Sequence, residues 1–479
     1  MSIDEADRRR QLATCVERTG LTADELWLRY FALGGDVGPV EVDAYLHGLM
    51  TLPGIQCDVL AHAVNERLDE FDWLRRVPYS RQVRQAKPAT GPLVALVDLL
   101  DGAHRAPPER LPAIAVAAGR ELGVRLDIYL VDRLQRVLVP VLPDSGPELL
   151  DVDTTPAGRA FRELTTVITT HNGDRRLWTV LLDGTDRLGV LGITPADEAE
   201  LRDPNLREQC RWLARLLGHL IAIADKYGDG LNAPRQRHPT DAAVELLRDM
   251  RPPLTAGTDA VAVAAGRDFG GRPGADAFDY ALSETTAHLA IFDSGAETPA
   301  SALVTASVLA AYRKARRDGR PLEDQARAVD EVLNTAFGPG EHASAVVAEL
   351  DLVTGRLGFL STGAARLLLV RDGRTTTLST GTSCLESEIA VEHLRPRDWL
   401  LLHTDGMSEA RDRGGRAFGP EHLGELLGKA QTTAEPPPEA VRGMLRAVFD
   451  HQHGDLRDDA TVLLAAWSGP DGPRIRLEP

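Results

Sequence analysis

The sequence predicts an α+β protein in three parts: a helical N-terminal module, an α/β middle domain and a β-rich C-terminal domain. Helix-capping and apolar spacings dominate before residue 85, paired strands with polar turns follow from about residue 91, and many short strands come after residue 259. At 479 residues the chain has room for two to four domains. We place the boundaries at residues 1–88, 89–230 and 238–468.

The net charge and the lack of long apolar stretches argue against nucleic-acid and membrane partners. Lys and Arg number 54 against 71 Asp and Glu, a formal net charge of −17, which repels nucleic-acid phosphates and anionic lipid surfaces. The N-terminus has no apolar signal region, and no stretch of 18 uncharged apolar residues occurs. These features predict a cytoplasmic protein with no nucleic-acid or membrane partner.

The N-terminal module carries helix signals. Thr22 and Glu25 have the spacing of a capping box ahead of an apolar run. Two more helices are predicted, over Val40–Met50 and Asp58–Leu74, with breakers between them. A small helical bundle of this kind is typical of a docking or dimerisation module, so a homodimer is one expected arrangement.

The middle domain has the pattern of an antiparallel sheet with helices. Strand pairs are predicted at Val124–Val131 with Val137–Leu142, and at Leu177–Leu182 with Leu188–Ile193. An amphipathic helix, Leu206–Lys226, closes the unit. This order resembles a GAF domain, a bacterial sensor fold. No Cys or His is placed to hold a chromophore or haem, so the resemblance implies a small ligand or none.

A linker is predicted between the two larger domains. Residues 228–240 are rich in Gly, Pro and Arg, a composition typical of connections between folded units. A short helix, Thr240–Met250, is predicted directly after it and ends before two prolines.

Two aspartates in the C-terminal domain are predicted to meet through a hairpin. Asp276 opens the predicted strand Ala277–Leu282, and the returning strand His288–Phe292 leads into Asp293. Because antiparallel neighbours run in opposite directions, the start of one strand and the end of the next lie at the same end of the hairpin. The two carboxylates should therefore be close together.

Two further aspartates lie at predicted strand ends. Asp405 follows the buried strand Trp399–Leu402, and Asp458 precedes the strand Thr461–Trp467. Carboxylates without His or Cys suit Mg²⁺ or Mn²⁺, and two such ions can activate water for attack at phosphorus. Aspartate is also common in ordinary turns, so spacing alone leaves a structural role equally open.

Four segments resemble the metal-binding motifs of SpoIIE-type PPM phosphatases, in the same order. They are GADAFDY at 274–280, HLAIFD at 288–293, LLLHTDGMSEARDRGGRAFG at 400–419 and RDDATVLL at 457–464. The resemblance implies an αββα sandwich of two antiparallel sheets between helices. It also implies a metal-dependent protein serine/threonine phosphatase with two Mn²⁺ or Mg²⁺ ions.

The resemblance assigns roles residue by residue. It implies that the catalytic and metal-binding carboxylates are those of Asp276, Asp293, Asp405 and Asp458, with Ser294 as a further metal contact beside Asp293. Gly406 and Asp459 would be supporting neighbours, and residues 240–250 resemble the family's regulatory segment. The implied substrate is a phosphorylated anti-sigma-factor antagonist of the STAS type, in partner-switching control of transcription.

The loops around these aspartates depart from the family pattern. Residues 293–298 read Asp-Ser-Gly-Ala-Glu-Thr where the family has Asp-x-x-Gly-His-Gly, and residues 361–364 read Ser-Thr-Gly-Ala in place of Asn-Ala-Gly-His. Glycine permits a close backbone approach to a metal or phosphate, so its loss can shift a ligand. Two functions stay open: a phosphatase with weak activity, or a binding module that keeps the fold without turnover. Glu297 is either a compensating carboxylate or a solvated loop residue.

Three other features allow two interpretations each. His403 is a strand histidine with satisfied contacts or a general acid, and His451 with His453 are surface residues or a metal pair. The basic run at residues 313–317 complements the C-terminus of a helix or docks an acidic or phosphorylated protein.

Overall fold

The computed structural model describes residues 5–69, 92–141, 148–171, 174–238, 240–268, 276–295, 299–338, 343–379, 389–475 and 477. It divides into two compact units, residues 1–88 and 89–479. Among the described residues, no helix is both long enough and apolar enough to cross a membrane.

In the first unit, the described residues 5–69 form a bundle of four helices around one apolar core. The predicted capping box is confirmed: the Thr22 hydroxyl accepts from the Glu25 amide at 3.3 Å, and the Glu25 carboxylate accepts from the Thr22 amide at 2.8 Å. The second predicted helix ends earlier than expected, before Gly48 with its left-handed φ of +78°. The third predicted helix begins earlier, and its expected end at Leu74 lies outside the described residues. The helices are α1 (Glu5–Thr19), α2 (Ala23–Ala32), α3 (Pro39–Leu46) and α4 (Gly54–Asp69).

The middle domain is built on a six-stranded antiparallel sheet of order β3-β2-β1-β6-β5-β4. All four predicted strands are present. The sheet also contains two strands that were not predicted, β3 and β4, and the helix α7 between them was not predicted either. The elements are α5 (Pro92–Ala103), α6 (Leu111–Glu121), β1 (Val124–Val131), β2 (Val137–Pro140), β3 (Leu150–Asp151), α7 (Pro156–Glu163), β4 (Val167–His171), β5 (Asp174–Asp183), β6 (Asp186–Pro195) and α8 (Pro204–Ala224).

Helices cover both faces of this sheet. On β1, Leu126 and Ile128 pack against α5, α6 and α8, whereas Tyr129 and Val131 pack against α7 on the opposite face. The alternation follows from the two-residue period of a strand. The GAF-like identity of this domain stays a prediction.

The segment between the middle and C-terminal domains is anchored at Arg235. Its guanidinium is buried, donates to the Val131 carbonyl at 2.9 Å and pairs with Asp225 at 2.9 Å. A buried arginine must be paired, so these contacts tie the segment to the middle domain. The predicted boundary between residues 230 and 238 stays a prediction.

The C-terminal domain is a sandwich of two antiparallel sheets, and the predicted αββα fold class is confirmed. The sheet orders are β15-β12-β11-β10-β9 and β14-β13-β16-β17-β8-β7. The elements are α9 (Ala242–Met250), β7 (Thr255–Gly257), β8 (Val261–Asp268), β9 (Ala277–Leu282), β10 (Thr286–Asp293), α10 (Pro299–Arg317), α11 (Leu322–Val332), β11 (Ser344–Asp351), β12 (Arg356–Thr362), β13 (Arg366–Arg371), β14 (Arg374–Leu378), β15 (Ala390–His393), β16 (Trp399–His403), α12 (Asp405–Ser408), α13 (Pro420–Thr432), α14 (Pro437–His451) and β17 (Ala460–Trp467).

Three apolar layers hold the sandwich together. Leu289 and Ile291 of β10 point between the sheets, while Ala290 and Phe292 pack outward on α10 and α11. On the second sheet, Leu401 and Val462 pack outward on α13 and α14. The strands are therefore buried on both faces, which explains their nearly continuous apolar sequences.

Candidate functional site

The hairpin of β9 and β10 brings Asp276 and Asp293 to one end of the C-terminal domain, as predicted. Ala277 pairs with Phe292 in the ladder, so the residues flanking this pair stand at the same end. Asp276 is 3% exposed and Asp293 is 9% exposed. The sheet thus places two acids where water reaches them poorly.

Burial and mutual repulsion act on both carboxyls. Burial raises the pKa of Asp276 well above its ordinary value, and the charges of Asp293 and Asp459 raise it further. Burial also raises the pKa of Asp293, against a hydrogen bond from the Gly295 amide at 2.7 Å, and Asp405 adds repulsion. The charge of Asp293 therefore acts on Asp276, and that of Asp405 acts on Asp293.

Asp405 begins the short helix α12 directly after β16. The residue before it, Thr404, is fully buried and donates its hydroxyl to Asp276 Oδ2 at 2.7 Å. The Thr404 hydroxyl in turn accepts from the Thr461 amide at 3.2 Å on the neighbouring strand β17. Thr404 thus orients the Asp276 carboxylate, a role that the sequence reasoning missed.

The pair Asp458 and Asp459 precedes β17. Asp459 is buried, and its Oδ2 accepts from the Asp276 amide at 3.3 Å, as expected for a supporting residue. Asp458 is exposed, and its Oδ1 accepts from the Asp459 amide at 2.9 Å. A ligand role for Asp458 stays a prediction.

Arg267 on β8 is a second residue that the sequence reasoning missed. Its guanidinium donates to the backbone carbonyl of Asp276, and the charges of Asp459 and Asp276 act on it. A cation beside several carboxylates offsets part of their repulsion. Arg267 therefore holds Asp276 from the backbone side, while Thr404 holds the carboxylate.

The Ser294 hydroxyl forms its hydrogen bonds with α10. The hydroxyl donates to the Ser301 carbonyl at 3.4 Å and accepts from Thr305 at 3.2 Å, both on α10. Gly295 adopts a left-handed φ of +69°, so one glycine of this loop does supply the unusual backbone conformation. Residues 296–298, Glu297 among them, and residues 274–275 lie outside the described residues.

The carboxylates of these acids are the oxygen ligands that a hard divalent cation prefers. In the described residues they do not form a complete set of ligands for one. Mg²⁺ and Mn²⁺ take oxygen ligands, and a cation would relieve the repulsion that raises the pKa values of Asp276 and Asp293. Within the part of the chain that the structure describes, no group of three or more His, Cys, Asp or Glu side chains stands ready to hold a metal ion.

The structure gives the surroundings of His403 and His451. His403 is fully buried in β16, and its Nδ1 lies 2.9 Å from the Thr404 carbonyl. Burial lowers the pKa of His403 to about 4, so the ring is neutral at pH 7 and does not suit a general acid. His451 packs edge-on against Phe418, and its Nε2 lies 3.0 Å from the Arg416 carbonyl.

The basic run at residues 313–317 has a structural role that neither interpretation predicted. Arg313 and Arg316 each pair with the buried carboxylate of Asp279 on β9 at 2.6 Å. Arg313 also donates to the Met250 carbonyl at 2.6 Å, at the end of α9. These two arginines are therefore engaged inside the domain, and the docking interpretation is wrong for them.

The acid pair predicts a stability effect. A carboxyl whose folded pKa is raised binds protons more tightly folded than unfolded, so the metal-free protein loses stability as pH rises above about 4 toward the folded pKa. Asp276→Asn should remove this loss and raise the free energy of unfolding at pH 7.5 in EDTA by about 1 to 3 kcal/mol. Urea unfolding would measure it, with a smaller gain expected at pH 5. Asp324→Asn on the exposed start of α11 is the control, and a destabilised Asp276→Asn protein would contradict the prediction.

Residues 283–468 match the family model described as Stage II sporulation protein E (SpoIIE). The match includes Asp293, Asp405 and Asp458 and begins after Asp276. It confirms the predicted resemblance to SpoIIE-type proteins for this part of the chain. No curated protein matches the chain in sequence.

Several solved structures are similar to a part of this chain. The RsbU and RsbW domains of a Mycobacterium tuberculosis protein are 22% identical over 44% of this chain, with a TM-score of 0.39. The SpoIIE phosphatase domain of Bacillus subtilis is 17% identical over 45% of this chain and 96% of its own, with a TM-score of 0.34. RsbX in complex with magnesium is 13% identical over 45% of this chain and 98% of its own, with a TM-score of 0.35. The chain spans 62% of the first of these structures.

Proposed function

We propose that the C-terminal domain is a metal-dependent protein serine/threonine phosphatase. The observation that carries this proposal is the buried pair Asp276 and Asp293 with Asp405 beside it, at one end of a sandwich whose sequence matches the SpoIIE family. Clustered acids that repel one another cost stability, and a role in cation binding accounts for that cost.

Asp276, Asp293, Asp405 and Asp458 would hold two Mn²⁺ or Mg²⁺ ions, with Ser294 contributing its backbone carbonyl. When bound, such cations would lower the pKa of a water and neutralise charge that develops on the phosphoryl group. The chain's own residues prepare the site: Thr404 fixes the Asp276 carboxylate, and the Gly295 amide fixes that of Asp293.

The substrate class follows from the family resemblance. We infer a phosphoserine or phosphothreonine on an anti-sigma-factor antagonist of the STAS type, within partner-switching signalling in the cytoplasm. The middle domain would act as the sensor of this signalling protein, and the helical unit as a docking module or as a homodimer contact.

A binding module without turnover is the second candidate. It is favoured by the altered loop after Asp293 and by the incomplete arrangement of acids among the described residues. Such a module would keep the fold and bind phosphoprotein, with at most one cation.

Hydrolysis of p-nitrophenyl phosphate by the full chain separates the two candidates. We expect slow release of nitrophenol in Mn²⁺, none in EDTA, and recovery when excess Mn²⁺ is added back. A phosphorylated STAS-domain protein should then lose its phosphate under the same conditions. Cation binding by calorimetry without hydrolysis of either substrate would favour the binding module.

A further inference from the structure

One turn of the middle domain reaches the edge of the carboxylate site. Arg136, between β1 and β2, pairs through Nη2 with Asp268 Oδ2 at 3.0 Å, and its guanidinium carbon lies 3.5 Å from the centroid of the Phe449 ring. The Asp268 side chain is 10% exposed and that of Arg136 is 32% exposed. An ion pair this shielded is screened less by salt than a surface pair.

The turn holds Arg136 on a fixed backbone. Asp132 Oδ1 accepts from the Arg136 amide at 2.7 Å and from the Val137 amide at 2.9 Å. The Arg136 carbonyl accepts from the Val152 amide at 2.9 Å. The backbone that carries the guanidinium is therefore held by the middle domain.

Asp268 stands next to two parts of the candidate site. It is the last residue of β8 and pairs in the ladder with Ala460, which directly follows Asp459. The residue before it, Arg267, pairs with Thr461 and donates to the Asp276 carbonyl. A shift of the β8 end would reach both Asp276 and the start of β17.

A second set of contacts attaches the middle domain to helix α14. Arg187 pairs with Glu439 at 3.3 Å and donates to the Pro438 carbonyl at 2.9 Å, at the start of the helix. Arg442, further along, pairs with Asp153 at 2.5 Å. Because α14 packs on β8 and β17, the middle domain is connected to these two strands by two routes, through Asp268 and through α14.

We propose that Arg136 is a positioning residue for the carboxylate site. It acts through Asp268 on the end of β8, and through Arg267 on Asp276, so that movement of the middle domain changes how firmly the site holds a divalent cation. The proposal deepens the proposed function and rests on it for the role of the cation. In this proposal, the turn at residues 132–137 couples the conformation of the middle domain to the carboxylate site.

Charge reversal in the full chain tests the proposal. Arg136→Glu should raise the dissociation constant for Mn²⁺, measured by calorimetry, about fivefold or more, within the usual range of coupling between sites. Arg136→Lys, which keeps the charge, should stay within about twofold of the natural sequence. Arg175→Glu is the matched control, because it breaks a half-exposed pair with Glu198 inside the middle domain. Equal dissociation constants for the natural, Arg136→Glu and Arg175→Glu proteins would overturn the proposal.

Amide hydrogen exchange gives a measurement that needs neither metal nor turnover. Peptides covering β9 should exchange faster in Arg136→Glu than in the natural sequence, while peptides covering β11 should not change. Asp268→Asn should produce the same local change, and the double variant Arg136→Glu with Asp268→Asn should show less than the sum of the two single effects. Unchanged exchange at β9, or equal acceleration in β11, would overturn the proposal even if the protein proves to have no phosphatase activity.

Discussion

Replacing Asp405 by alanine should lower Mn²⁺-dependent turnover of p-nitrophenyl phosphate about a thousandfold, the scale of losing one major electrostatic group from an active site. Asp405 is close enough to Asp293 to raise the pKa of that carboxyl, so its removal takes one charge from the group that would hold the cations. The fold should not suffer, because the same substitution relieves repulsion on Asp293. Steady-state rates across a Mn²⁺ titration would measure the loss.

Asp324→Ala is the matched control for this prediction. Asp324 lies on the exposed first turn of α11 and pairs with Arg327, so its loss should leave both turnover and melting temperature nearly unchanged. Turnover of the Asp405→Ala protein within twofold to threefold of the natural sequence would remove Asp405 from the site.

Gly406→Ala should damage both the stability and the activity of the C-terminal domain. A Cβ at position 406 would stand under 3.0 Å from the backbone carbonyl oxygen of Asp459, closer than real Cβ atoms come to such a group. The backbone of the 404–406 turn or that of Asp459 must then move, at a cost of about 1 to 3 kcal/mol. A displacement near 1 Å at Asp405 should lower turnover about a hundredfold.

The comparison for this prediction is Gly443→Ala in α14. Apart from the nearby backbone of α14 itself, no atom of the described residues lies within 4 Å of a Cβ added there. Alanine is favoured over glycine inside a helix by about 0.5 to 1 kcal/mol. Thermal unfolding should therefore move in opposite directions for the two substitutions. If the Gly406→Ala protein is as stable and as active as the Gly443→Ala protein, the backbone near Gly406 can accommodate a Cβ without loss of stability or turnover, and the prediction is wrong.

Local patterns predicted the parts of the site that depend on neighbouring residues. The hairpin of Asp276 and Asp293 was predictable because two short apolar strands and one polar turn define its register within twenty residues. The sandwich itself came from the resemblance of four segments, which carry information about the family that strand periodicity alone does not contain.

Contacts between distant parts of the chain explain what was missed. Thr404 meets Asp276 across 128 residues, and Asp459 meets it across 183. Neither a threonine before a turn, such as Thr404, nor an arginine in a strand, such as Arg267, is a sequence signal for a site. Only the order of the strands in the sheets places these two residues beside Asp276. Arg313 was misread for the same reason, because its partner Asp279 lies on a strand that only tertiary packing brings under α10.

The pairing of Arg187 with Glu439 and of Arg136 with Asp268 also bears on how freely such domains can be exchanged during evolution. An apolar contact tolerates many partners of similar shape, whereas an ion pair inside a contact leaves an unmatched charge when one side is replaced. A different domain fused ahead of this C-terminal domain would take Arg187 away from Glu439 and Arg136 away from Asp268, unless it brought arginines in the same places. Recombination between homologous proteins should therefore keep residues 89–479 together as one inherited block.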